Sequence, residues 1–424
     1  MKILSLDYKK YSLQNGLEVI LYQDKSLPIA VVNLWYNVGS SRDPMNKTGL
    51  AHLFEHMMFQ GSKHVKKGEH FKFIQDNGGT LNASTSFDVT NYFEKIPSDF
   101  LETALWLESD RMGFFLEALT DETLANQIEV VKNERLERYD NQPYGLTWQK
   151  LFGLLYNESH PYHAPTIGLM DHILSYNQKD VSDFCNTYYQ PRNASLVIAG
   201  DFEIDSAKDL VEKYFSGINS SAKVDPLNVE ESELHESKSE VVFDSVSLEK
   251  ILLVWKTEKI FHENNFALDI LSDILTGSKN GRLHNILVLK QELALQVSAF
   301  QYSGSYGGFF CITATAKPGK SLDEIKKIIF EELTNLFTNN ITIEELIRSK
   351  NGIKANFIYG MQSLDSVANH LNHYNFYLGE PNYFSHELSL YEKVERESVK
   401  NCAKYFNKPF IDLRFVPKEK EGKV

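Results

Sequence analysis

The sequence predicts an α+β fold made twice: two homologous α/β domains, residues 1–217 and 240–424, joined by a linker over 218–239. Three observations carry this reading. Short alternating apolar runs interleave with longer helical segments, which argues for sheets packed with helices. Residue landmarks of the first half return at a nearly constant spacing in the second. Between the halves, residues 217–239 are rich in Ser, Asn, Glu and Lys and poor in apolar side chains, as an exposed linker should be.

The first half opens with strand signals at 11–13 and 17–22 around Asn15-Gly16, a dipeptide that suits a tight hairpin turn. The apolar run from Ala30 to Val38 reads as a buried strand. A helical segment at 69–77 stops at Gly78-Gly79, and strands follow at 80–85 and 89–95. Long helices fill 99–115 and 122–140. A helix at 180–189, a strand at 194–199 and a helix at 204–215 close the half.

Shifting the numbering by 218 carries Lys132-Asn133 onto Lys350-Asn351, Tyr139 onto Phe357, Val181 onto Val399, Tyr188 onto Phe406 and Pro191 onto Pro409. Nearer the front a shift of 216 carries Ala51 onto Ala267 and Gly61-Ser62 onto Gly277-Ser278, a difference that one small insertion explains. These matches point to an internal duplication.

With 42% hydrophobic and 24% charged residues, the 424-residue chain is globular and long enough for two domains. Its net charge of −13 argues against a nucleic-acid partner, which would need a basic face. Cys185, Cys311 and Cys402 lack paired spacing and suggest neither a disulfide framework nor a zinc ribbon. The N-terminus has no apolar signal segment and no stretch approaches a membrane span. Both absences favour the cytoplasm, or the periplasm had a leader been removed.

The chemistry concentrates in His52-Leu53-Phe54-Glu55-His56. Residues four apart on a helix share a face, so His52 and His56 can hold one metal ion. Glu55, on the edge of that face, can take a proton from a metal-bound water without being a ligand. Leu50, Ala51, Leu53, Phe54, Met57, Met58 and Phe59 surround these groups. A buried set of unpaired imidazoles and a carboxylate would carry a large desolvation cost that a divalent cation relieves. The order, with glutamate beside the second histidine, is the inverzincin arrangement. Under the duplication His52, Glu55 and His56 fall on Leu268, Leu271 and Ser272, and Glu134 on Gly352, so the second copy keeps the helix without the ligands.

A catalytic zinc needs a third protein ligand. Glu129, Glu134 and Glu137 on one acidic helix are all candidates, and composition does not choose among them. Four segments resemble the pitrilysin, insulin-degrading enzyme and mitochondrial processing peptidase family of zinc metallopeptidases, most closely its short bacterial members. They are His52 to Phe59 with Gly61-Ser62; Gly78-Gly79 through Asn82-Ala83-Ser84-Thr85; Val130-Val131-Lys132-Asn133-Glu134 with Asp140-Asn141-Gln142-Pro143-Tyr144-Gly145; and Tyr189-Gln190-Pro191-Arg192-Asn193. The resemblance implies a processing-peptidase-like fold in which each domain is a mostly antiparallel sheet packed with helices. It also implies Glu134 as third ligand, one Zn2+ per chain, and an edge strand at Asn82, Ala83, Ser84 and Thr85 that binds peptide substrates.

Two departures from the family pattern stand out. Gln127 occupies the position where many relatives carry a glutamate supporting the third ligand. In the second half, Val288 and Leu295 fall where single-chain relatives carry an arginine and tyrosine that clamp substrate. The resemblance therefore implies a heterodimer with a homologous subunit that lacks the zinc motif and supplies the clamp. The alternative is a homodimer using residues such as Lys290 or Gln296. The expected function is zinc-dependent endopeptidase action on peptides or unstructured segments, with Glu55 as the base. Its rival is a non-catalytic structural or presequence-binding subunit of the same fold.

Overall fold

The computed structural model describes residues 6–44, 46–221, 223–230, 233–339 and 341–420. The first sheet contains β1 (Tyr8–Ser12), β2 (Glu18–Gln23), β3 (Ile29–Tyr36), β4 (Thr80–Thr85), β5 (Thr90–Pro97) and β6 (Ala194–Gly200), in the order β1-β2-β6-β3-β5-β4. The second contains β7 (Lys238–Asp244), β8 (Lys250–Thr257), β9 (Ala294–Gly304), β10 (Gly307–Ala316) and β11 (Ile411–Pro417), in the order β7-β11-β8-β10-β9.

These orders are one plan used twice. In the first sheet β2 and β6 run parallel, with Glu18 opposite Ser195, and every other neighbouring pair is antiparallel. In the second, β7 and β11 run parallel, with Lys238 opposite Ile411, and the remaining pairs are antiparallel. Matching β2-β6-β3-β5-β4 to β7-β11-β8-β10-β9 leaves only β1 without a counterpart. The expected α+β class with mostly antiparallel sheets is borne out.

The chain gathers into two compact units, and neither is one continuous stretch. The first comprises Met1–Leu136, Ala164–Asn228 and Ile358–Ser385; the second comprises Glu137–His163, Val229–Phe357 and His386–Val424. The helix Leu364–Leu378 therefore covers β6 and β3 of the first sheet. Its Asn372 Nδ2 donates to Asn33 O at 2.9 Å and to Asn33 Oδ1 at 2.8 Å. In the second unit the helix Thr147–Leu155 packs with β11, and its Trp148 lies against Phe300 and Phe309. These two helices begin at Thr147 and Leu364, repeat-equivalent positions within one residue of the 218 shift. One helix of each repeat has thus been exchanged. The contiguous 1–217 and 240–424 division does not describe this grouping, because apolar periodicity states that a face is buried but not on which sheet.

In the first unit β3 and β6 are almost wholly buried, as the apolar runs Ala30-Val31-Val32 and Leu196-Val197-Ile198-Ala199 require. In the second, the helix Glu263–Thr276 packs along β9, and Leu268 and Leu271 are fully buried in its core. Residues 218–237 contain no helix or strand among those described. No helix among the described residues is long and apolar enough to cross a membrane.

The helix Leu50–Met57, which carries the motif, starts without a side-chain cap from its own N-terminal residue. Gly49 stands there at φ 93°, in the left-handed region that disfavours a Cβ. Asp43 supplies the missing acceptor: its Oδ2 takes the Gly49 N–H at 2.6 Å and its Oδ1 the Ala51 N–H at 2.8 Å. Gly49 also meets Gly168 closely, so a Cβ on Gly49 would lie 2.5 Å from Ile167 O, and one on Gly168 2.3 Å from Thr48 O. The Gly168 carbonyl in turn accepts a hydrogen bond from Arg135 of the acidic helix Asp121–Arg135. The two glycines thereby let the Ile167-Gly168 backbone abut the start of the motif helix, and Arg135 ties that same backbone to the acidic helix. Gly49→Ala combines a disfavoured φ with a backbone clash and is expected to lower stability by about 2 kcal/mol or more. Chemical denaturation checks this; an unchanged midpoint would contradict the packing argument.

Candidate metal centre

His52 and His56 leave the motif helix one turn apart, with ring centroids 4.8 Å from each other. Across from them, Glu134 Oε2 lies 3.2 Å from His56 Nε2 and 3.7 Å from His52 Nε2. All three ligand atoms fall within 4.8 Å of one another, and each residue is half-buried, so the cluster borders solvent.

Local packing fixes each half of this arrangement. The non-polar side of the motif helix buries Leu50, Leu53, Phe54 and Met57. The Phe54 ring sits 4.0 Å from that of Tyr189 and 5.1 Å from that of Phe115, by centroids. Past the helix, Ser62 Oγ and the His64 backbone N–H both donate to Asp110, which ties down the Gly61-Ser62 turn. The acidic helix begins with a Thr120–Thr123 capping box and buries Leu124, Gln127 and Val131. Glu134 continues that stripe, three residues after Val131. Glu129 is exposed and pairs with Lys132 at 3.0 Å, and Glu137 is exposed beyond the helix end. Of the three carboxylates open as third ligand, only Glu134 meets the histidines. The stripe at 124, 127, 131 and 134 was the signal that could have singled it out.

Gln127 is buried two turns before Glu134 on the same helix. Asn82, Ala83, Ser84 and Thr85 lie on β4, the edge strand of the first sheet, against which the motif helix packs. Sequence reasoning missed the contact between this strand and Glu55: Thr85 Oγ1 donates to Glu55 Oε2 at 2.5 Å. Burial pushes the Glu55 carboxyl above its usual range, opposed by the Thr85 hydrogen bond and by His56. In the second unit Val288 is half-buried against the core, while Leu295, Lys290 and Gln296 are exposed.

A second convergence of ligand types, His70, Glu94 and Glu108, is buried beneath this site. It already has a cation. The Arg111 guanidinium donates to Glu108 Oε2 at 2.8 Å, lies 3.5 Å from Glu94 Oε1, and stacks over Tyr92 at 4.1 Å. Burial holds His70 well below its usual pKa, which leaves it neutral, and 3.2 Å from Glu94. This cluster is a core ion-pair network closed to solvent.

Residues 18–155 match the family described as "Insulinase (Peptidase family M16)", and residues 175–353 match "Peptidase M16 inactive domain". The inactive-domain match excludes His52, Glu55, His56 and Glu134. Zinc protease PqqE of Helicobacter pylori is 34% identical over 365 residues, covering 85% of this chain and 82% of the relative. The crystal structure of a protease from Helicobacter pylori superposes with a TM-score of 0.91 at 30% identity, over 97% of this chain and all of the other. The periplasmic protease PqqL from Escherichia coli shares the fold, with a TM-score of 0.81 at 18% identity over 99% of this chain but 49% of its own. Two sheets on one duplicated plan, the family matches to both halves, and this similarity to PqqE together establish that the chain belongs to the M16, or pitrilysin, family of peptidases.

Proposed function

We propose that this chain is a zinc-dependent endopeptidase that hydrolyses peptides or unstructured polypeptide segments. The observation that carries the proposal is the convergence of His52 Nε2, His56 Nε2 and Glu134 Oε2 beside Glu55. Two imidazoles and one carboxylate fit the donor preference of zinc, and three protein ligands leave a position for water, as catalytic sites require. The ion, when bound, supplies Lewis acidity that acidifies water and polarises the scissile carbonyl.

The protein's own groups perform the remaining work. Glu55 accepts the proton of the attacking water and returns it to the leaving amine. An extended peptide pairs with the free edge of β4, where Thr80, Asn82 and Ser84 are exposed, so that its backbone hydrogen-bonds along 82–85. Edge pairing selects extended chains, which folded proteins do not offer. Gln127, buried behind Glu134, orients its helix face without adding a second negative charge.

Val288 and Leu295 offer no cationic or phenolic group to hold substrate. A homologous subunit without the zinc motif, supplying an arginine and a tyrosine, would complete the site as a heterodimer. A homodimer is the alternative assembly. The half-length match of this chain to PqqL supports pairing of two such units.

Purified protein should hold about one zinc per chain and cleave an unstructured quenched-fluorescence peptide, alone or with its partner subunit, with chelation abolishing and zinc restoring cleavage. Glu55→Gln is expected to keep the zinc and lower kcat by about 10²-fold or more. Unchanged hydrolysis by that variant would refute the assigned base. Glu134→Ala should instead lose zinc itself, measured by metal analysis after dialysis. A protein that binds no zinc and cleaves nothing in either assembly would favour the non-catalytic subunit.

A further inference from the structure

Thr85 belongs to the strand proposed to bind substrate, yet its hydroxyl points elsewhere. Along β4, residues 80, 82 and 84 are exposed while 81, 83 and 85 are half-buried. The Thr85 side chain therefore lies on the face turned toward the motif helix, where Oγ1 meets Glu55 Oε2 at 2.5 Å. A threonine hydroxyl has one proton to give.

The neighbours of Thr85 decide where that proton goes. Thr90 stands opposite it in the β4–β5 register, fully buried, with the two Oγ1 atoms 3.4 Å apart. Thr90 Oγ1 donates its own proton to Val38 O at 2.9 Å. The Val38 carbonyl, two residues past the end of β3, thus takes the Thr90 proton, and the Thr85 proton is left for the carboxylate. On Glu55 this ties up Oε2, while Oε1 has no hydrogen-bond partner among the described residues.

We propose that Thr85 is a positioning residue for Glu55: its hydroxyl anchors Oε2 and leaves Oε1 as the oxygen that takes the proton. This rests on the reading of Glu55 as the base. A glutamate has three side-chain torsions, and a hydrogen bond to a rigid, β-branched residue on a sheet removes much of that freedom. Because β4 also presents the edge for the peptide backbone, one strand would fix both substrate and base, keeping their separation constant.

The test compares zinc-loaded wild type, Thr85→Val, Thr85→Ala and Thr85→Ser, with any partner subunit present. Valine keeps the branched shape and removes the hydroxyl; serine keeps the hydroxyl. Thr85→Val and Thr85→Ala should retain wild-type zinc content and lower kcat about 10- to 100-fold, a size typical of a misplaced catalytic group. KM should stay within about twofold, and Thr85→Ser should recover most of the kcat. In crystals of the variants, the Glu55 carboxylate should leave its place in Thr85→Val and keep it in Thr85→Ser.

A raised KM at unchanged kcat would make Thr85 a substrate contact and overturn the proposal. So would unaltered kinetics, loss of zinc from the valine and alanine variants, or a Glu55 carboxylate that stays in place without the hydroxyl. The crystallographic comparison needs no turnover, so failure of the peptidase reading, seen as an inactive wild type, is distinguishable from failure of the anchor.

Discussion

One constraint governs the arrangement of the first unit: a carboxylate from a distant helix must be held against two imidazoles that leave a single helical turn. Three groups of this kind do not gather near solvent without cause, because each would be better hydrated apart. The protein holds them with apolar packing. Phe54 anchors the motif helix among Tyr189, Phe115 and Phe184, and Leu124 and Val131 anchor the acidic helix. Arg135, one residue beyond Glu134, donates to the carbonyl of Gly168, whose Cα abuts Gly49. The two helices are therefore braced at the ends nearest the site.

The buried network beneath the site fits the same logic. Arg111 lies between Glu94 and Glu108 on the core side of β5, with Tyr92 over its face. Removing one member of such a set leaves an uncompensated charge, which costs more than the set contributes when whole. Its value lies in fixing the helix Leu101–Phe114, whose Asp110 secures the turn after the motif helix. Polar contacts placed behind the site thus add to the apolar packing that holds it, while the groups proposed for chemistry stay half-exposed.

Much of this was legible in the sequence, and the unread parts share a cause. The spacing of His52, Glu55 and His56 specifies a shared helical face, because helical periodicity is local. The helix Ile204–Phe215 and the strand Thr80–Thr85 begin and end where their local sequence pattern does, for the same reason. Glu134 was not separable from Glu129 and Glu137 by composition, since the choice is made when the acidic helix docks. Asp43 as the cap of the motif helix, Asp110 as the brace of its exit, and Thr85 as the partner of Glu55 all depend on contacts between elements. The exchange of the helices at 147 and 364 is the largest such case: their apolar faces are evident, and only tertiary structure assigns each to its sheet.

The duplication has a functional consequence. Where the first copy places His52 and Glu55, the second buries Leu268 and Leu271 with no exposed surface. A buried leucine stabilises the fold by about 1.5–3 kcal/mol relative to exposure, so the second copy gains packing where the first keeps the polar groups proposed for chemistry. The most direct measurement is anomalous diffraction at the zinc edge from crystals of the zinc-loaded protein. One strong peak is expected within bonding distance of His52 Nε2, His56 Nε2 and a Glu134 carboxylate oxygen, with Glu55 outside the coordination shell. A peak elsewhere, or Glu134 turned away from an ion held by other groups, would contradict this assignment.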